Sequence, residues 1–419
     1  MSELSGVSYI DRVLASEIVS AMAEARVVGL LGARQVGKST LVRRLAAGPL
    51  ALDYLTLDNE QTRAAASADP VGFLADLGGP TAIDEIQRVP ELLLAIKVVV
   101  DRDNAAGQFL ITGSANLRRI PTVADALPGR VDYLTLWPFT QAELEGTDGR
   151  FLDRLFSCEV PRITDAPVGR AAYLARLLAG GFPEGVRRGD ANRVRYFGSY
   201  VSSLLERDIV ETSPLRDPSI ATRAIRLVAA RSGSLARFDS IGSDLGINGK
   251  TAQSHLEALE RLFLVRIRSA WTVNLGKRQI KAPKLYIADS GMLAGLLGAN
   301  SARLASDPGL AGALFETFAA TELERLASAG PDIYTFSHFR EGERKVDVVV
   351  EDPSGRIVGL EVKAAATVRS RDWSGLAMLR DELGERFVAG AVLYAGERTL
   401  RLTDRIWAVP LSGLWNPGQ

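Results

Sequence analysis

The 419-residue sequence predicts an α/β fold, and two patterns within residues 1–145 support that prediction. Short apolar runs alternate there with stretches of helical periodicity, which is typical of a mostly parallel sheet with crossover helices. One apolar run, residues 27–31, leads into Gly-Ala-Arg-Gln-Val-Gly-Lys-Ser at residues 32–39, and a helical pattern follows over residues 40–47. A strand, a glycine-bearing turn and a helix in this order surround phosphates with backbone N–H groups.

The glycine-bearing turn predicts a nucleotide site. Its glycines let the backbone N–H groups turn inward, and the amino end of the following helix adds a partial positive charge. Lys38 is expected to reach the β- and γ-phosphates, while the hydroxyl of Ser39 holds Mg²⁺. We therefore predict that ATP and Mg²⁺ bind to nine consecutive residues: Gly32, Ala33, Arg34, Gln35, Val36, Gly37, Lys38, Ser39 and Thr40.

The next buried strand is predicted over residues 81–85, and it ends in two carboxylates. Asp84 is expected to hold Mg²⁺ together with Ser39, and Glu85 is expected to polarise the attacking water as the general base. An Asp-Glu pair after a strand is usually a solvated turn. Its position downstream of a phosphate loop, within one α/β unit, favours the assignment to the site.

Two further catalytic candidates come from the segment after these carboxylates. A third strand, residues 108–112, is followed by Ser114, whose hydroxyl is a candidate for sensing the γ-phosphate or orienting the water. Arg130 precedes a strand at residues 131–136 and is our candidate for an arginine supplied in trans to a neighbour's nucleotide. Most arginines at such positions are solvated or paired with an acid, so that alternative stays open.

These motifs resemble the additional-strand ATPases, and specifically the AAA+ superfamily. The likeness is to a bacterial and archaeal family whose ATPase domain is joined to an uncharacterised C-terminal domain. Beside the phosphate loop, the similar motifs are Ala-Ile-Asp-Glu-Ile-Gln (82–87), Leu-Ile-Thr-Gly-Ser-Ala-Asn (110–116), Leu-Trp-Pro-Phe-Thr (136–140), Gly-Gly-Phe-Pro-Glu (180–184), Leu-Glu-Arg-Asp-Ile (205–209) and Leu-Tyr-Ile-Ala-Asp-Ser-Gly (285–291). The resemblance spans nearly the whole chain and implies an ATP hydrolase. If Arg130 acts in trans, a homo-oligomer follows, with a hexameric ring as one form.

The pattern of the chain changes after residue 145, and we predict four units. Residues 1–145 form the P-loop ATPase domain. Residues 146–215 lose the strand signal and resemble the helical lid that follows such a core, with helices near 173–180 and 192–211.

The third unit, residues 216–300, resembles a winged helix-turn-helix. Three helices and two strands are predicted over residues 221–230, 238–245, 250–262, 263–271 and 284–288. Between Arg261 and Lys284 the sequence has no acid, and a basic hairpin suits phosphate contacts beside a DNA groove. The predicted DNA-binding residues are Arg266, Arg268, Lys277, Arg278 and Lys281. The alternative is that this module packs against the ATPase and transmits motion.

The fourth unit, residues 301–419, resembles an α/β restriction-endonuclease-like domain with a PD-(D/E)xK core. That likeness places Glu316 on a helix close to Asp347, Glu361 and Lys363 on two neighbouring strands. The two strand carboxylates would bind Mg²⁺, and the lysine would activate the water or neutralise the phosphate. A half-buried hairpin shows the same alternation of polar and apolar residues. Such domains also serve as degenerate nucleic-acid-binding or assembly modules.

The composition excludes several other classes of protein. The chain is 47% hydrophobic and 24% charged, in the range of ordinary soluble globular proteins, and no apolar run approaches the roughly 18 residues of a membrane span. No secretion signal appears, and one cysteine excludes an internal disulfide, so we expect a cytoplasmic protein without a membrane partner. Two histidines and one cysteine exclude a structural zinc site. Because the net charge is zero, any DNA contact needs a local patch.

Three functional hypotheses follow. The main one is an ATP hydrolase that binds duplex, forked or branched DNA and couples turnover to remodelling or translocation. The second is an ATP-gated, Mg²⁺-dependent DNA nuclease. The third is a nucleotide-dependent switch, which regulates transcription or serves as a scaffold.

Overall fold

A five-stranded parallel sheet forms the first part of the structure, a computed structural model that describes residues 9–114, 127–164, 168–212, 218–272, 281–328, 330 and 333–416. The strands are β1 (Val27–Leu31), β2 (Asp53–Thr56), β3 (Thr81–Asp84), β4 (Phe109–Gly113) and β5 (Val131–Thr135). The helices of this part are α1 (Leu14–Glu24), α2 (Lys38–Ala47), α3 (Glu60–Ala68), α4 (Pro70–Ala75) and α5 (Leu92–Arg102). The order across the sheet is β2-β3-β4-β1-β5.

This order places β4 between β1, which leads into the phosphate loop, and β3, which ends at the carboxylate pair. Every neighbouring pair is parallel, so the carboxyl ends of β1, β3 and β4 meet at one edge. All residues of these three strands are buried, as near-continuous apolar runs in a covered parallel sheet require. An α/β fold with a parallel sheet is therefore confirmed, and the insertion of β4 between β1 and β3 accords with an additional-strand ATPase.

The segment predicted as one helical lid contacts two different parts of the molecule. Helix α6 (Gln141–Glu145) directly precedes this segment, whose own helices are α7 (Phe151–Phe156), α8 (Arg170–Ala179), α9 (Pro183–Arg187) and α10 (Asp190–Thr212). The hydroxyl of Tyr173 on α8 donates to Ser412 Oγ at 3.1 Å, and the hydroxyl of Thr399 donates to the carbonyl of Pro161 at 2.7 Å. Helices α7 and α8 thus pack on the C-terminal part of the chain, whereas α10 reaches the phosphate loop.

A small helical module follows, with the element order helix, strand, two helices and two strands. Its elements are α11 (Pro218–Ala230), β6 (Ser234–Leu235), α12 (Phe238–Leu245), α13 (Gly249–Arg261), β7 (Val265–Arg268) and β8 (Lys284–Ile287). Gly246 ends α12 in the left-handed region, and Asn248 caps α13 by accepting from the N–H of Thr251 at 2.8 Å. The three strands pair antiparallel in the order β6-β8-β7. We call residues 218–287 the winged module.

The C-terminal part is a six-stranded mixed sheet preceded by three helices. Its elements are α14 (Ser290–Leu297), α15 (Ser301–Ser306), α16 (Pro308–Ala327), β9 (Thr335–Glu341), β10 (Arg344–Glu351), β11 (Ile357–Lys363), α17 (Ser374–Leu383), β12 (Phe387–Tyr394), β13 (Leu400–Thr403) and β14 (Ile406–Pro410). Strands β9, β10 and β11 are antiparallel neighbours, and β12 lies parallel to β11. The sheet order is β13-β14-β12-β11-β10-β9.

Helix α16 lies at the junction of all these parts. Asp307 caps it, and Pro308 occupies its first turn, where a missing N–H costs nothing. Buried residues occur on almost every face of the helix, among them the charged residues Glu322 and Arg325. A carboxylate oxygen of Glu322 accepts from the N–H of Gln141 at the start of α6. The helix therefore fixes the C-terminal sheet against the ATPase sheet.

No helix among the residues that the structure describes is both long and apolar enough to cross a membrane.

We expect the stability of the protein to fall as the pH rises through neutrality, because of Glu322. Burial raises the pKa of this carboxyl to about 7 despite the opposing charge of Arg325. The folded state therefore holds a proton that the unfolded state has lost between about pH 4.5 and 7, and this contribution to stability disappears above pH 7. Glu322→Gln should be more stable than the native protein at pH 8 by roughly 1–3 kcal/mol, with a smaller difference at pH 5.

Urea unfolding at pH 5 and pH 8 measures this difference. The matched control is Glu343→Gln, at an exposed position in the turn between β9 and β10. An equal gain in both variants, or no dependence on pH for Glu322→Gln, would contradict the assignment.

Candidate functional site

The phosphate loop joins β1 to α2 with the backbone conformation that a phosphate cradle needs. Gln35 has φ 63° and Gly37 has φ 99°, so the loop curves inward before α2 begins at Lys38. Successive N–H groups in such a turn form an anion-binding concavity. The ammonium of Lys38 lies within the loop and donates to the carbonyls of Gly32 and Ala33, each at 2.9 Å. The predicted loop residues therefore form one continuous cradle, with Ser39 and Thr40 in the first turn of α2.

A buried arginine from outside the loop supports this cradle. Arg12 Nη1 donates to the carbonyl of Val36 at 3.0 Å, and its Nε donates to Glu143 Oε1 at 3.0 Å. The ring of Phe139 lies 4.5 Å from the guanidinium. Sequence reasoning missed Arg12 because its partner in α6 is far away along the chain, and no local motif marks it.

Asp84 lies at the carboxyl end of β3 with both side-chain oxygens engaged. The hydroxyl of Tyr54 donates to Oδ2 at 2.8 Å, and the hydroxyl of Thr112 donates to Oδ1. Burial and the bond to Asp84 raise the pKa of Tyr54 to about 12, so the phenol keeps its proton and remains a donor. These two neighbours on β2 and β4 orient the carboxylate, and the sequence analysis did not identify them.

Glu85 directly follows β3 in the left-handed region, with φ 62°. Its N–H donates to Thr112 Oγ1 at 3.0 Å, which anchors the turn to β4. The side-chain amide of Gln87 donates both to a carboxylate oxygen of Glu85 and to Ser114 Oγ, the latter at 2.8 Å. Gln87 therefore joins the candidate base to the candidate sensor, and it is a site residue that the sequence analysis quoted in a motif without assigning a role.

Helix α10 closes the other side of the phosphate loop. The hydroxyl of Tyr196 donates to Gln35 Oε1 at 2.7 Å, and the hydroxyl of Tyr200 donates to the carbonyl of Arg34 at 3.1 Å. Burial raises the pKa of Tyr196 to about 12. The cleft between the loop and the helix is lined by Arg34, Gln35, Glu85, Arg188, Tyr196, Ser199, Tyr200, Ser203, Leu204 and Arg207.

Arg130 lies away from this cleft. It directly precedes β5, so it is at the amino end of a sheet whose site residues follow the carboxyl ends of the strands. Its Nη2 is 3.0 Å from Asp101 Oδ2 in an exposed ion pair. Arg130 thus does not reach the nucleotide cleft of its own chain, and a role toward a neighbouring chain stays a prediction.

The basic residues predicted to bind DNA divide into inward and outward positions. Arg266 Nε donates to Glu324 Oε2 at 3.1 Å, and the guanidinium lies 4.6 Å from the ring of Trp137. Arg268 is buried and also pairs with Glu324. The carboxylate of α16 and an aromatic ring thus cover the charges of these two arginines, and their contact with DNA stays a prediction. The side chain of Lys281 is exposed.

Lys277 and Arg278 lie outside the described residues.

The four residues of the predicted nuclease-like site do come together. Lys363 Nζ lies 2.7 Å from Glu361 Oε1, and Asp347 lies on the neighbouring strand β10. A lysine that was assigned no role here, Lys284 of β8, lies between Glu316 and Asp347 at 2.7 and 2.9 Å. Lys345 adds a further ammonium 3.0 Å from Asp347. We call these six residues the carboxylate–lysine cluster.

Charge compensation dominates this cluster. Burial by itself would raise the pKa of Asp347, but Lys284 and Lys345 outweigh it and hold that pKa well below its usual range. Burial and the charge of Asp347 raise the pKa of Glu361 to about 8. Among the described residues, no group of three or more histidine, cysteine, aspartate or glutamate side chains is arranged to hold a metal ion. Lys284 and Lys345 thus supply the positive charge beside Asp347, and the binding of Mg²⁺ by Asp347 and Glu361 stays a prediction.

The comparisons with known proteins agree with the ATPase part. Residues 24–145 match the family model described as an AAA domain. Residues 170–303 and 311–414 match two families described as domains of unknown function. Two uncharacterized proteins, from Mycobacterium tuberculosis and Mycobacterium bovis, are each 31% identical over 408 residues, which is 96% of this chain and 84% of theirs.

The chain belongs to the same family of AAA-domain proteins as these mycobacterial relatives. In this chain the AAA domain is followed by the two matched domains of unknown function. An AAA-type ATPase domain is therefore established for the first part of the chain, and the relatives extend the likeness over nearly all of it.

Solved structures show weaker likenesses. A Walker-type ATPase of Pyrococcus abyssi gives a TM-score of 0.39 at 17% identity, covering 69% of this chain and 96% of that one. RuvB from Thermotoga maritima gives 0.28 at 19% identity, covering 62% and 90%. DnaA from Aquifex aeolicus gives 0.29 at 11% identity, covering 59% and 86%. Scores of this size do not assign an activity.

Two substitutions test the assignment of the nucleotide site. Lys38→Ala removes the loop ammonium, so we expect loss of ATP binding by isothermal titration calorimetry. Glu85→Gln preserves size and hydrogen bonding, so ATP should bind with little change while the steady-state turnover number falls by roughly 10²–10⁴-fold. Normal turnover by Glu85→Gln would refute its role as the base. Lys97→Ala, at a partly exposed position on α5, is the control and should change neither quantity.

Proposed function

We propose that this protein hydrolyses ATP in the cleft between the phosphate loop and α10, and that it couples turnover to the binding and remodelling of DNA. One observation carries the hydrolytic part. The phosphate loop follows β1, Asp84 and Glu85 lie at the carboxyl end of β3, and Ser114 follows β4 between these strands of one parallel sheet, where Gln87 joins Glu85 to Ser114. A base, a carboxylate for a metal ion and a phosphate cradle are thus adjacent.

The residues fit Mg²⁺, since the Ser39 hydroxyl and the Asp84 carboxylate are hard oxygen ligands; when bound, the ion neutralises phosphate charge. Tyr54 and Thr112 fix the direction of the Asp84 carboxylate before any ligand arrives. Lys38 exchanges its bonds to the Gly32 and Ala33 carbonyls for phosphate oxygens. Glu85 accepts a proton from the attacking water, and Ser114 orients that water through its hydroxyl.

The DNA part of the proposal rests on the winged module. The order of its elements is that of a winged helix, and Asn248 begins the helix that would enter a groove. Lys281 is exposed just before β8, and Lys277 and Arg278 precede it in the sequence. Since Arg266 and Arg268 face α16 instead, the proposed contact depends on Lys277, Arg278 and Lys281.

The same inward arginines support a second candidate, a nucleotide-dependent switch. Arg266 packs on Trp137 directly after β5, and Arg268 pairs with α16, so the winged module is in contact with the ATPase sheet. Changes in the cleft therefore have a physical path to the module. An ATP-gated nuclease receives less support, because lysines already compensate the carboxylates that would hold its metal ion.

We expect DNA to stimulate ATP turnover if the main proposal holds. Steady-state ATPase rates would be measured without DNA and with linear, forked and four-way duplexes of equal length at low salt. A several-fold increase with forked or four-way DNA, absent in Lys38→Ala, supports remodelling. Unchanged rates together with no DNA binding at low salt contradict it. ATP-dependent binding to a protein partner without DNA binding favours the switch.

Salt dependence tests which residues touch phosphates. Replacing Lys277 and Arg278 by alanine should flatten the slope of log affinity against log salt by about 2, because each phosphate contact contributes roughly 0.9. Fluorescence anisotropy on labelled forked DNA measures both slopes. Lys97→Ala with Arg102→Ala, on α5, is the matched control that removes two positive charges elsewhere. If the variant without Lys277 and Arg278 keeps the salt slope of the native protein, these two residues do not contact DNA phosphates.

A further inference from the structure

We propose that Lys284 of the winged module takes the place of a divalent cation in the carboxylate–lysine cluster. The native chain therefore does not bind metal there, and removal of that one positive charge creates a site for Mg²⁺ or Mn²⁺. This inference does not depend on the proposed ATPase activity.

The position of the ammonium is that of a shared cation. Lys284 Nζ contacts Glu316 Oε1 at 2.7 Å and Asp347 Oδ1 at 2.9 Å, and Lys284 is only 5% exposed. The hydroxyl of Tyr286 also donates to Glu316 Oε1, at 2.8 Å, and the N–H of Val362 donates to Asp347 Oδ2 at 3.1 Å. The carboxylate oxygens that would bind a metal ion jointly are thus held around one ammonium.

The balance of charge predicts that a divalent ion would replace one ammonium group rather than bind beside all three. Glu316, Asp347 and Glu361 supply at most three negative charges, and Lys284, Lys345 and Lys363 supply three positive charges. A divalent ion added to this buried set would leave an uncompensated positive charge, which is costly in a poorly solvated site. A divalent ion that replaces one buried ammonium leaves a smaller excess, and the two half-exposed lysines can turn toward water.

One atom of the cluster has capacity for a further ligand. In the part of the chain that the structure describes, no donor reaches Glu361 Oε2, although this atom is buried. A buried carboxylate oxygen without a partner is unfavourable, and it is the kind of atom that a cation recruits. Glu361 therefore adds a third potential ligand beside the two carboxylates that Lys284 occupies.

Among the three ammonium groups, Lys284 alone comes from outside the C-terminal sheet. Lys345 and Lys363 lie on the same strands as Asp347 and Glu361, and their side chains are 40% and 24% exposed. Lys284 lies on β8, which pairs with β6 and β7 of the winged module. The cation that fills the carboxylate site is therefore contributed by the neighbouring module.

Mn²⁺ binding to the nucleotide-free full chain tests this inference, with electron paramagnetic resonance to count bound ions and thermal unfolding as a second readout. We expect Lys284→Met to bind one Mn²⁺ at least tenfold more tightly than the native chain, and to unfold at a higher temperature when Mn²⁺ is present. Adding Asp347→Asn to that variant should abolish both effects. Lys363→Met, which removes the ammonium paired with Glu361, is the matched control and should behave as the native chain does.

If Lys284→Met does not fold, Mn²⁺ binding by the native chain and by other variants still tests the inference. Native protein that binds Mn²⁺ and loses this ion in Glu361→Gln would overturn it. If native protein, Glu361→Gln and Lys284→Arg all show the same negligible Mn²⁺ binding, the inference that the native cluster excludes a divalent ion is upheld. A folded Lys284→Met that gains no Mn²⁺ would also overturn it.

Discussion

The burial of charge along helix α16 is the constraint on which the arrangement of the whole molecule depends. Glu316 meets Lys284, Glu324 meets the arginines of β7, and Arg325 donates to Asp289 Oδ2 at 2.9 Å. Buried charges are tolerated only beside fixed partners, and removal of one partner costs several kcal/mol. Lys284 and the two arginines belong to the winged module, and Asp289 directly follows it, so these buried ion pairs fix that module against the helix that precedes the C-terminal sheet.

This constraint extends to the nucleotide cleft through a short series of contacts. Arg12 holds the carbonyl of Val36 in the phosphate loop and pairs with Glu143, which also caps α6 by accepting from the N–H of Thr140 at 3.0 Å. The next N–H along α6 donates to Glu322 on α16. A change in loop conformation would therefore act on the same helix that carries the carboxylate–lysine cluster. The contacts define a physical path, and double-mutant cycles measure the coupling energy along it.

The sequence predicted what local patterns determine and missed what distant pairing determines. The phosphate loop, the strand before Asp84 and the helix after Lys38 were predictable because glycine spacing and apolar runs act within a few residues. Tyr54, Arg12 and Lys284 were not, because their roles depend on partners that only the assembled fold brings close. An acid-free run of basic residues did not reveal that two arginines point inward, since their shared acid lies on a later helix.

Hydrogen–deuterium exchange of the full chain, with and without a non-hydrolysable ATP analogue and Mg²⁺, tests the central claim most directly. Phosphates held on backbone amides shield those amides from exchange. The account predicts strong protection over residues 32–40, with smaller changes in α10 where Tyr196 and Tyr200 contact the loop. Unchanged exchange over residues 32–40 at saturating analogue, or protection confined to another part of the chain, would contradict it.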